Sequence, residues 1–248
     1  MKNEEQNYAL AYFSPVTRYK FATSLIHFGI SQFRRAKVIS NYKKLCNLIE
    51  NQNPSKGDLR TLMEIVNDQL VDFVRIIICY ENYLKAFLIA NEYVVHELKQ
   101  TGPYADLFKD QRDRPISIFD LIQIDAFKLD REKDLFKHEG LTFKTLTISK
   151  LLSKKYQEVI QMQPKVFESL NKIKRYRNNV HFFLQEKGKV DPEFCNMLGH
   201  LIQYVEKVIV PNHDLMIEEL IRIENEEIKN KSDLLKMEKI KTLSHEEE

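Results

Sequence analysis

The chain has 248 residues, of which 43% are hydrophobic and 30% charged, and a formal net charge of +2. This is long enough for one substantial core and too apolar for a disordered chain, while near-balanced charge excludes a generic polycation. The six glycines and the absence of tryptophan argue against a turn-rich all-β fold.

The start, Met1 to Glu5, is polar and lacks the apolar run of a signal peptide. Ser14-Pro15 reads as an N-cap followed by proline in the first helical turn, where its missing N–H costs nothing. Apolar residues then recur with helical spacing at Phe21, Leu25, Phe28, Phe33, Val38, Tyr42 and Leu45. Asn53 to Gly57 is a turn, and Asp58 is expected to cap the next helix. From Leu59 to Leu98 the pattern predicts helix with no interrupting Pro or Gly, ended by Thr101-Gly102-Pro103. The charges at Arg75, Glu81, Lys85 and Glu92 do not suit a bilayer centre, so a soluble cytoplasmic chain without membrane contact is expected.

Residues 104–140 are dense in charge, with one short apolar run, Ile116 to Phe127, and read as an elaborated connection with a short helix. Ile148, Leu151 and Leu152 restore helical spacing, while alternation at Phe143, Thr145 and Thr147 leaves a strand open there. A helix is predicted from Pro164 to about Leu184, and Asp191-Pro192 opens the next, which Pro211 kinks or restarts. After Glu224 the mixed charges indicate a solvated helix or a frayed tail. The expected architecture is all-α, an antiparallel helical bundle over 57–224 with an insertion at about 104–140. A helical extension over 1–56 precedes it, and a charged tail over 225–248 completes the chain.

Cys46, Cys79 and Cys195 are odd in number and form no CxxC pair, which favours free buried thiols in a reducing compartment. His27, His96, His138, His200, His213 and His245 lack His-x3-His spacing, so no metal site is expected. With no GxxxxGK[ST] and no GxGxxG, neither a P-loop ATPase nor a dinucleotide enzyme is supported, and no cofactor is implied.

The chemistry-bearing stretch runs from Lys172 to His181. On a helix, Arg177 falls four residues after Ile173 and four before His181, on one face. A guanidinium and an imidazole at the edge of an apolar stripe need a partner: an acid of the bundle, a second subunit or a phosphate. Lys172, Lys174, Arg175, Arg177, Lys187 and Lys189 surround it, with Glu186 the sole acid from 172 to 189.

This segment resembles the signature of the HEPN superfamily, an Arg, usually followed by Asn or another polar residue, with a His four to six residues further on. Arg175 and His181 have five residues between them; Arg177-Asn178 reproduces the Arg-Asn step but leaves three residues before His181. Tyr80 to Leu88, with Glu81 and Lys85 one turn apart, is similar to the first core helix of that superfamily, and the likeness spans roughly Leu59 to Ile223. It implies a metal-independent endoribonuclease acting as a homodimer, with His181 as general acid–base and Arg177 or Arg175 holding the phosphate. Asn178 would orient the phosphate or His181, while Lys172, Lys174, Glu81 and Lys85 would contact the RNA. An antitoxin or another defence-system protein is the further partner implied. The competing reading is a non-catalytic helical module for dimerisation, partner binding or ligand sensing, with a basic helix surface, one satisfied histidine and a simple Glu81–Lys85 ion pair.

Overall fold

The computed structural model describes residues 14–98, 114–123, 141–181 and 192–245, with the backbone alone at 121–123, 141, 143, 178–181 and 233–245. Helix α1 (Pro15–Arg35) starts as its sequence dictates, with the Ser14 side chain accepting from the Thr17 N–H at 3.3 Å. The predicted helical stretch beyond it is broken twice, giving α2 (Lys37–Ser40) and α3 (Tyr42–Glu50). Ala36 adopts an extended backbone at the first break. In α4 (Lys56–Val66) the cap is Ser55, and Asp58 is its reciprocal partner at the third helical position, a capping box.

The long helix anticipated from Leu59 to Leu98 is two helices. α4 stops before Asn67-Asp68, and α5 (Gln69–Ala90) carries the rest. It ends eight residues early, where Glu92 takes a left-handed φ of 65° and the Tyr93 N–H bonds back to the Leu88 carbonyl, a Schellman-type helix end. The Glu92 carboxylate also pairs with Arg18 of α1 at 2.7 Å. The chain then turns extended and forms β1 (His96–Leu98). A short helix, α6 (Ile118–Gln123), lies within the expected insertion, of which residues 114–123 are described. The alternating segment does form a strand, β2 (Leu141–Thr145), antiparallel to β1 with His96 opposite Thr145 and Leu98 opposite Leu141. Short helices α7 (Ile148–Leu151) and α8 (Lys154–Ile160) lead into α9 (Pro164–His181).

α10 (Pro192–Tyr204) passes through a π-helical turn, Val205–Ile209, into α11 (Val210–His245). Proline in an α-helix clashes with the carbonyl four residues back. The π turn resets the hydrogen-bond ladder so that Pro211 falls in the first turn of α11, where it is tolerated. The tail after Glu224 continues this helix to His245.

α5 is the centre of the bundle. Phe73, Ile76, Ile77, Tyr80, Leu84 and Leu88 are all buried, and they point to several sides of the helix, as expected of an apolar helix surrounded by others. α1 packs most closely against it. A Cβ on Gly29 would sit 3.0 Å from the Cys79 carbonyl oxygen, so the absent side chain permits that approach. Ala22, Ile26, Ile30 and Phe33 of α1 share one core with α5, α9 and α10. Residues 15–50 are therefore part of the bundle rather than an extension of it. The fold is all-α, with one two-stranded sheet among the described residues. No described helix is long and apolar enough to cross a membrane.

Candidate functional site

α9 begins after a left-handed turn at Gln161 and buries Val166, Leu170 and Ile173, spaced four and three residues apart, against the core. One turn later Tyr176 stacks on Phe73 of α5, centroids 6.0 Å apart at 24°. Phe194 of α10 meets Phe73 edge-on at 6.1 Å. This aromatic trio sets the level of α10's first turn, so residues 177–181 of α9 run about one turn past it. The Lys172 ammonium pairs with Glu193 at that same end.

The cations of the motif stand in different surroundings. Arg175 is exposed; Lys174 and Arg177 are half-buried. Burial, and then the positive charges of Arg175 and Arg177, push the Lys174 ammonium below its usual range. That shift records the local excess of positive charge on the helix. Lys172 is lifted above its usual range, chiefly by its hydrogen bond to Glu193, and is the motif lysine already engaged by an acid. The backbone is helical through His181, whereas the side chains of Asn178 and His181 lie outside those described. The continuous helix distinguishes the two candidate arginines. Residues four apart share a face, whereas six apart differ by about 240° around the axis. Arg177 is therefore aligned with His181 and with buried Ile173, and Arg175 is not.

Glu81 and Lys85 are not brought to this end. The Lys85 ammonium, with its side chain 10% exposed, donates to Glu81 Oε1 at 2.6 Å and to Thr145 Oγ1 at 2.9 Å. The other Glu81 oxygen accepts from the Ile148 N–H at 3.1 Å, at the start of α7. Glu81 lies eight residues, roughly 12 Å, along α5 from Phe73, which packs on Tyr176 of α9. The Glu81–Lys85 pair ties α5 to β2 and α7. His96, opposite Thr145 across the hairpin, lies beside it. Its imidazole is held neutral down to about pH 4, by burial first and the Lys85 charge second.

A second basic region carries no compact motif and so escapes a reading built on motifs. Residues 6–49 contain Arg18, Lys20, Arg34, Arg35, Lys37, Lys43 and Lys44 and not one acid, a longer acid-free stretch than the motif helix. Its signal in the sequence is charge asymmetry spread over helical positions. A cavity of about 500 Å³ opens beside it, between α1–α3 and the π turn. No known family profile, no curated protein and no solved structure matches this chain.

Proposed function

We propose that the protein is a metal-independent endoribonuclease of HEPN type, acting as a homodimer that brings two copies of the α9 C-terminal turn around one RNA strand. The observation that carries this reading is the helix end itself. Residues 172–181 hold four cations and no acid, and the helix stays regular through His181 so that Arg177 shares its face. RNA carries its own nucleophile. The 2′-hydroxyl attacks the adjacent phosphorus, its proton passes to a base, and the 5′-oxygen leaves with a proton from an acid. An imidazole titrates near neutrality and suits either transfer, so His181 takes that role, one copy accepting and the other donating. Arg177 binds the phosphate and stabilises the charge growing on its non-bridging oxygens. Arg175, on another face, steers the strand, and the products carry a 2′,3′-cyclic phosphate and a 5′-hydroxyl.

The test uses purified protein, labelled RNA and excess EDTA. Cleavage is expected to persist with chelator, to stop at a site given a single 2′-deoxy sugar, and to be lost in His181→Ala. Arg177→Ala is expected to lower the rate at least 100-fold and Arg175→Ala less than 10-fold. Equal activity of His181→Ala and wild type, or cleavage at the 2′-deoxy position, refutes the reading.

A further inference from the structure

The acid-free stretch before Glu50 is only partly neutralised by folding. Arg18 is paired with Glu92, Lys20 with Glu224 and Lys37 with Asp68, each acid lying far along the chain from its cation. Arg34, Arg35, Lys43 and Lys44 have no acidic partner among the described residues. Three of these four line one cavity of about 500 Å³, a size typical of small-molecule sites. Its remaining surface is not basic. Phe33, Ile39, Ile202, Val205 and Val210 form an apolar wall, and among the described residues Glu206 is the one acid lining it.

The shape of the cavity depends on two local features. The π turn Val205–Ile209 supplies Val205 and Glu206, and such insertions often accompany functional sites. Tyr42 lines the opposite side. Its hydroxyl lies 2.5 Å from where a Cβ of Gly199 would be, so the missing side chain of α10 makes room for the tip of that ring. The hydroxyl is thereby turned inward and the cations outward.

We propose that this cavity binds a nucleotide. The phosphate lies against Arg34, Lys43 and Lys44, and the base covers the apolar wall of Ile39, Ile202 and Val205. Glu206 accepts hydrogen bonds from N–H groups on the base edge. Each part of the cavity then has a counterpart in one ligand class: fixed cations for the phosphate, an apolar surface for the ring and a carboxylate for its donors. The site stands apart from the α9 motif. Ile202 to Val205 are 9 to 12 residues along the helix from Glu193, which pairs with Lys172. That separation is roughly 14–18 Å.

Binding is measured on the full chain by calorimetry and by anisotropy of N-methylanthraniloyl-labelled GMP, with guanosine and inorganic phosphate as separate probes. GMP is expected to bind at micromolar to submillimolar concentration and at least 10-fold more tightly than either fragment, weakening with salt. Lys43→Glu/Lys44→Glu, at exposed positions without ion pairs, is expected to lose at least 10-fold in affinity. Lys154→Glu/Lys155→Glu, an equal charge change elsewhere, and Arg177→Ala are expected to bind as wild type. The proposal is overturned if GMP fails to bind at millimolar concentration, or if phosphate alone binds as tightly as GMP. It also falls if the Lys43/Lys44 variant retains full affinity, or if Arg177→Ala abolishes binding while that variant keeps it. None of these results depends on RNA cleavage.

Discussion

Removing Glu81 tests whether the Glu81–Lys85 pair is architecture rather than part of an RNA site. The Lys85 side chain is 10% exposed and that of Glu81 27%. Glu81→Ala leaves the Lys85 ammonium with the Thr145 hydroxyl and no acid, and strips the Ile148 N–H of its acceptor. Breaking a buried pair from one side costs about 3–5 kcal/mol, and the partial exposure of Glu81 places this case at the low end, near 3 kcal/mol. In a chain of this size that corresponds to a fall in Tm of about 6–12 °C. Lys85→Met should cost less, because a desolvated carboxylate still keeps the Ile148 N–H. Glu81→Gln/Lys85→Met should lie within about 1 kcal/mol of wild type, since no charge is left stranded. Urea denaturation of Glu81→Gln beside wild type, Lys85→Met and the double variant closes the cycle. A Glu81→Ala cost below about 1 kcal/mol, or strict additivity in the double variant, refutes the argument. RNA cleavage per folded molecule should be unchanged in Glu81→Ala, because the pair is committed to Thr145 and Ile148.

The neighbouring His96 sets a pH dependence. Its folded pKa, about 4, lies below the ordinary value of 6.5, so the unfolded chain takes up a proton that the folded chain refuses. Stability should therefore fall as pH drops from about 6.5 to 4, by up to about 3 kcal/mol, and level off below; His96→Phe should flatten that limb in urea titrations. Gly29→Ala should lower stability by about 1–2 kcal/mol in thermal melts. A gain of up to about 1 kcal/mol in helix propensity is outweighed by a Cβ held 3.0 Å from the Cys79 carbonyl oxygen and 3.1 Å from its Cα, neither of which can rotate away. Cys79 is 1% exposed and burial pushes its thiol up to about 12, so it should resist alkylation by iodoacetamide in native protein and react only after unfolding, as peptide mapping would show.

What the sequence disclosed was local chemistry. Ser14-Pro15, Pro164 and Pro192 start helices because a cap or a fixed φ acts within one turn, and no distant residue is needed. The end of α5 was illegible for the opposite reason. No Gly or Pro marks Glu92, whose left-handed turn meets partners distant in the chain: Arg18 at its carboxylate and the Ile118 N–H at its carbonyl. The strand at Leu141–Thr145 was half-visible in its alternation, but its partner, His96–Leu98, was hidden inside an apparently helical run. At the candidate site, the cluster of cations on α9 was plain in the residues, and helix geometry alone aligns Arg177 with His181. The engagement of Glu81 and Lys85 with Thr145 and Ile148 was not, because those partners lie 60 and 67 residues further along the chain.

A net charge of +2 conceals how folding allocates charge. Acids at Asp68, Glu92 and Glu224 reach back to neutralise Lys37, Arg18 and Lys20, and the cations they leave unpaired are a local remainder of positive charge. The cavity beside the π turn is one such remainder, and the basic end of α9 is a second concentration of positive charge. They share no residue and belong to different helices, so their effects should combine independently. Lys43→Glu/Lys44→Glu should leave the ratio of Arg177→Ala to wild-type RNA cleavage unchanged. A ratio that shifts more than about threefold would mean that occupancy of the cavity is coupled to the α9 end, and that one ligand is felt at both.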